Sequence, residues 1–248
     1  MSRSRPAEPE GRVTTSPTVS PLIDALGERL SPALRLQILT TEHWSLLSTR
    51  ALTWNEAFSR ATMFLSAVTG SVVALALVAG VAGFDDGFVV FALLLLPVLL
   101  FVGVSTFRRL IEINREDVRW VVGMNRLRHA YLEAAPELRP YFVTGWSDDE
   151  GGIMTTFGAR PGAGSFAHEF VTTPGLIAVV DGVLAGVLAA ILGLRIGAGT
   201  AIGLGLAVGA CVATIALLAI LQYGLVIRPR GLEPSFPEPQ RETSVRNR

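Results

Sequence analysis

The sequence predicts an all-α integral membrane protein whose four transmembrane helices form two hairpins, with cytoplasmic amphipathic extensions and disordered termini. Three observations predict it. Residues 61–107 hold two apolar runs, Ala61 to Phe84 and Phe88 to Phe107, free of charged side chains and parted only by Asp85, Asp86 and Gly87. Residues 175–227 repeat the arrangement, with Gly175 to Leu194 and Ala198 to Ile227 separated by Arg195 and small neighbours. Half the 248 residues are hydrophobic, 17% are charged, and the mean hydropathy is +0.47. A bilayer core of about 30 Å needs about 20 apolar residues at about 1.5 Å of helical rise each, and all four runs meet that length.

The chain before the first run divides in two. Residues 1–30 are rich in Pro, Ser and Arg and read as a disordered cytoplasmic tail. They lack the apolar core of a cleavable leader, so the first spanning helix is expected to direct insertion. Across residues 31–60, Ser31 can cap a helix with Pro32 at its first position, and Leu34, Ile38, Leu39, Leu46 and Leu47 recur near helical spacing. Thr53 and Glu56 then make a T-x-x-E capping box, which predicts a fresh helix running into the first span. Trp44 and Trp54 suit the membrane interface.

The second span carries Pro97, which removes a backbone donor and predicts a bend that serves packing or acts as a hinge. After it, residues 108–135 mix Arg108, Arg109 and other charges with Ile111, Val118, Val121, Met124, Leu127 and Tyr131 at spacings of three, four and seven. This is an amphipathic extension of the same helix, stopped by Pro136 and Pro140. Residues 136–174 read as an irregular cytoplasmic loop, and residues 228–248, with four prolines, as a second disordered tail.

Threading follows from arginine, since the chain has no lysine. Seven arginines precede the first span, eight lie between spans two and three, five follow the fourth, and Arg195 alone sits in a turn. Basic residues are retained on the cytoplasmic side, so both termini and the central segment are expected there, in a multi-pass protein of the bacterial inner (cytoplasmic) membrane.

Composition narrows the chemistry. A net charge of zero gives nucleic-acid binding no support. Cys211 is the single cysteine and lies in an apolar run, so neither an internal disulfide nor a cysteine metal site is expected. His43, His129 and His168 are scattered, the acidic run Asp148, Asp149, Glu150 lacks calcium-loop spacing, and Gly158 to Ser165 lacks the lysine of a phosphate loop. No cofactor, metal or catalytic residue is predicted, and the protein is expected not to be an enzyme.

Four features remain as candidate sites. Asp181 lies seventh in the third run, about 10 Å by helical rise from its start, where a carboxylate is costly and either ties helices together or serves a proton or cation path. Gly182 with Gly186, Gly199 with Gly203, and Gly205 with Gly209 stand four apart, the spacing that lets helix backbones approach closely in lipid. Gly193 with Gly197 adds a further pair. Arg108 and Arg109 are candidate contacts for anionic lipid head groups, against the plainer reading of a positive-inside anchor. Pro97 is the candidate hinge.

In the order of its elements, a cytoplasmic helix, a two-span hairpin and a charged cytoplasmic helix, residues 31–135 resemble the SLATT class of two-span effector domains. That resemblance implies pore formation in bacterial conflict systems. It is architectural, transfers no functional residue, and leaves the second hairpin unaccounted for. The residues themselves favour a non-enzymatic assembly or interaction protein, with a small oligomeric pore or transporter using Asp181 as the alternative. The expected partners are the lipid bilayer, further copies of the chain and a cytoplasmic protein.

Overall fold

The computed structural model describes residues 30–158, 172–226 and 233–237. The tail expected at residues 1–30 lies outside them except for Leu30, as do the glycine-rich run from 159 and most of the C-terminal tail. The described residues are helical, without strands, and include four helices long and apolar enough to cross a membrane. In chain order they are α1 (Pro32–Ala82), α2 (Asp86–Ala134), a 3-10 turn (Pro136–Tyr141), α3 (Glu150–Thr156), α4 (Thr173–Arg195) and α5 (Thr200–Val226). By packing, the chain divides into Met1–Glu42 and His43–Arg248.

In the first unit Ser31 caps α1 as expected, its Oγ accepting from Leu34 N at 3.2 Å. In the second unit the predicted break at Thr53 is absent, and α1 is one helix of 51 residues. No glycine or proline interrupts it between Pro32 and Gly70, so nothing forces Thr53 into the extended backbone that a cap requires. Its hydroxyl instead donates back to Thr49 O at 2.9 Å, and Glu56 turns to arginines. The helix stops at Gly83, whose φ of +69° is a conformation L side chains rarely adopt. Asp85 then starts α2 by accepting from Phe88 N at 2.9 Å. The sequence places the turn at 85–87; the helices close in so far that Asp86 already belongs to α2.

α2 runs through Pro97 and carries the amphipathic extension to Ala134 as predicted. The loop expected at 136–174 is more ordered than its composition suggests. The 3-10 turn holds Pro136 and Pro140, and Asp149 caps α3 by accepting from Gly152 N at 2.9 Å. Thr172 caps α4 in the same way through Gly175 N, with Pro174 in the first turn. Gly197, at φ +79°, ends α4 as Ala198 N donates to Gly193 O.

The apolar core draws on α1 (Ala57, Ala61, Phe64), α2 (Ala92, Leu96, Leu99, Phe107, Leu110), α4 (Ile177, Ala178, Leu184) and Leu218 of α5. Among the spans α4 is the most enclosed, packed against both α2 and α5. α1 and α5 turn most of their apolar surface outward.

Candidate functional site

Two places concentrate buried polar groups. The first is Asp181 on α4. It has no exposed surface, and both carboxyl oxygens lack a hydrogen-bond partner. Among the described residues only Trp120 Nε1 shares that condition. The carboxyl fits against α2 because position 103 is glycine: a Cβ there would lie 2.6 Å from Cγ and 2.8 Å from Oδ2 of Asp181. Buried polar groups are nearly always paired, so an enclosed carboxyl without a protein donor sets Asp181 apart from the other buried polar side chains. Arg195 is not that partner. It lies at the far end of α4 and binds Asp86 at 2.6 Å, tying the two inter-span turns together.

The predicted glycine rows separate. A Cβ on Gly182 would come 2.6 Å from Ile215 Cγ1 of α5, and one on Gly186 would come 2.8 Å from the Ala207 carbonyl oxygen and 3.3 Å from Cys211 Cβ. Gly193 meets Leu206 in the same manner, at 2.9 Å. Gly203 would make ordinary contact with Leu194, whereas Gly199, Gly205 and Gly209 face open space. Of the basic pair, Arg108 is largely exposed and 3.9 Å from Glu112, while Arg109 is taken up by protein. Its Nε and Nη2 donate to the two carboxyl oxygens of Glu56, each at 3.0 Å, and its Nη1 donates to Glu116 Oε1 at 3.0 Å. Those contacts raise the Arg109 guanidinium still further, and Arg109 and then Arg60 hold the Glu56 carboxyl down at about 2.

The second place lies outside the apolar runs, where the extensions of α1 and α2 meet. Asp117 sits in the apolar row Leu110, Ile113, Val121 and Met124, and all five are buried. Its carboxylate accepts from Arg50 Nε at 2.6 Å, Arg50 Nη2 at 3.1 Å and Trp54 Nε1 at 3.1 Å, so α1 supplies every donor. Two turns further along α2, fully buried Asn125 uses both ends of its amide. Nδ2 donates to Ser147 O at 2.8 Å, and Oδ1 accepts from Arg128 and Thr156. This fixes the 145–149 turn and α3 to α2. His43 stacks on Tyr131, 5.8 Å between centroids, and its pKa is lowered by burial and then by Arg128.

Beside Asn125, Arg126 Nε donates to Asp148 Oδ2 at 2.7 Å. Asp148 also accepts from the backbone amides of Ser235 and Phe236, each at 2.8 Å. Burial pushes its carboxyl up, and the two amides with Arg126 outweigh that, leaving it below the usual carboxylate range. A stretch of the expected C-terminal tail is therefore bound to the helices, and Asp148, from the acidic run without calcium-loop spacing, is its anchor.

Asp117, Asn125 and Gly103 were not singled out from sequence. Asp117 alone left a signal, an acid inside an otherwise apolar helical row. Compared with known proteins, the chain matches no family model, no curated protein and no solved structure.

Proposed function

We propose that the protein is a non-enzymatic assembly module of the cell membrane: two helical hairpins hold it in the bilayer, and the cytoplasmic extensions of α1 and α2 present a braced surface to further copies of the chain. The observation that carries this reading is how the extensions are built. Buried Asp117 locks their facing sides together and buried Asn125 fixes the 145–149 turn to α2, while Trp44 (66% exposed) and Leu52 (70% exposed) are left on the outside of α1. Leu52 is two residues from both Arg50 and Trp54, so at about 100° per residue it points away from the face that binds Asp117. A helix joined this firmly on one side and apolar on another suits packing against a partner helix. The antiparallel order of the α1–α2 pairs, Arg50 with Asp117 and Glu56 with Arg109, and the Arg195–Asp86 pair between turns support the hairpin arrangement. The arginine distribution supports cytoplasmic termini.

The mass of the full chain in nanodiscs tests it. A defined oligomer is expected, with the Trp44→Ala, Leu52→Glu double variant shifting toward monomer. A monomeric wild-type chain rules the assembly reading out.

A second reading rests on Asp181, whose enclosed and unpartnered carboxyl fits a small oligomeric pore or transporter in which α2 and α4 part to admit a proton or cation. Flux into proteoliposomes, lost in Asp181→Asn at equal protein level, is the expected result. Equal flux in wild type and variant, or none in either, removes this reading.

A further inference from the structure

We propose that Asp148, Arg126 and His129 form a peptide-binding site for a short bent segment carrying an aromatic residue, and that the chain's own Glu233–Pro237 is its ligand in cis. The hydrogen bonds that hold the segment reach its backbone, and one ring adds a stacking contact. Asp148 Oδ1 accepts from Phe236 N and Oδ2 from Ser235 N, while Asp148 N donates to Phe236 O at 3.3 Å. Arg126 Nη2 donates to Glu233 O at 2.9 Å. The Phe236 ring stacks on His129, 4.4 Å between centroids and tilted by 26°.

The receptor side is built without help from the ligand. Arg126 and His129 are three apart on α2 and so share a face. The turn bearing Asp148 is pinned by Asn125 through Ser147 O and continues into the Asp149 cap of α3. The ligand side has matching chemistry. The two amides that the carboxylate reads belong to Ser235 and Phe236, whereas prolines occupy 234 and 237, where no amide is used. Each proline also narrows the backbone freedom of the residue before it, Glu233 or Phe236, which lowers the ordering cost of binding.

A carboxylate receiving two adjacent amides, with a guanidinium holding the carbonyl two residues before them, recognises a peptide that bends to offer those groups together; the stacked ring supplies the selectivity. Tethered ligands act at effective concentrations near millimolar, so the cis segment should hold the site against weaker peptides and yield it to stronger ones. This inference is independent of how the chain assembles.

The experiment uses the full chain in nanodiscs and a fluorescent peptide of the 231–239 sequence, read by anisotropy. The protein variant is Phe236→Ala, which weakens the cis ligand at an accessible position and leaves the receptor residues in place. The peptide should bind this variant about tenfold tighter than wild type, where the cis segment competes. Peptides with Ser235→Pro, which removes one amide, or Phe236→Ala, which removes the ring, should lose that binding. Equal affinity for variant and wild type, no binding to either, or peptides that tolerate both changes would each overturn the proposal.

Discussion

Within the apolar runs α4 meets α5 through glycine, with Gly186 set against the Ala207 carbonyl. Outside those runs α1 meets α2 through the ends of long side chains, as in Arg50 with Asp117 and Arg109 with Glu56. We propose that solvent explains the difference. Lipid tails are as apolar as the side chains they touch, so burying leucine gains nothing, and association depends on close backbone packing. On the proposed threading the extensions stand in water, where they gain from burying Leu110, Ile113 and Val121, and ions can cross the wider gap because their outer faces stay hydrated. One chain therefore uses two kinds of glue, and each should fail to its own perturbation.

The largest expected effect is at Asp117. Its carboxylate is nearly inaccessible and holds three donors from α1, so Asp117→Ala strands Trp54 Nε1 and leaves Arg50 without its anion. Loss of one partner from a buried pair costs 3–5 kcal/mol in other proteins. Arg50 keeps about a quarter of its side chain in solvent and can swing outward, so about 3 kcal/mol is expected. Thermal or denaturant unfolding in detergent measures it, with Glu112→Ala, whose partners lie at 3.6 and 3.9 Å on the surface, as the near-neutral control. Similar losses in the two variants would mean that the buried pair is not what joins α1 to α2.

Gly186 comes next. A methyl group there meets a backbone carbonyl that cannot rotate away, and overpacking of this kind costs about 1–3 kcal/mol. Gly209→Ala, with nothing near its would-be Cβ, should be neutral or slightly stabilising by helix propensity. Unfolding free energies of the two variants separate a packed glycine from a spaced one. Equal effects would show that spacing rather than contact governs these helices.

That pair also shows how far the sequence could be read. Spacing of four identified Gly182, Gly186, Gly205 and Gly209 alike, because a repeat carries no information about which side of α5 faces α4. The four spans were legible from length and hydropathy, which are local properties. The single helix α1 was not, since the Thr53–Glu56 box is a local signal for a start, and a stretch without glycine or proline from 33 to 69 runs through it as one helix. Glu56 itself had a distant partner, Arg109, fifty-three positions away, and nothing in its neighbourhood announces that. The same holds for Asp181: its burial was legible from the apolar run, but the space it occupies is made by Gly103, on another helix.

The smallest expected effect is at that Glu56 pair, and it is the one most sensitive to conditions. Arg109 and Arg60 hold the Glu56 carboxyl at about 2, below its ordinary 4.5. The folded chain therefore releases this proton more readily than the unfolded chain, and the stabilisation is fully present above about pH 4.5 and lost as pH falls toward 2. Glu56 keeps over a third of its side chain exposed, so solvent screening limits its worth to about 1 kcal/mol or less. Glu56→Gln should cost that amount at pH 7 and converge on wild type as pH falls through the interval between 4.5 and 2. Raising the salt to about 1 M, where the Debye length falls to about 3 Å, should shrink the same difference while leaving the loss from Gly186→Ala unchanged. A Glu56→Gln effect indifferent to salt would place that contact with the packed glycines rather than with the hydrated ion pairs, and the division between the two regions would no longer follow solvent.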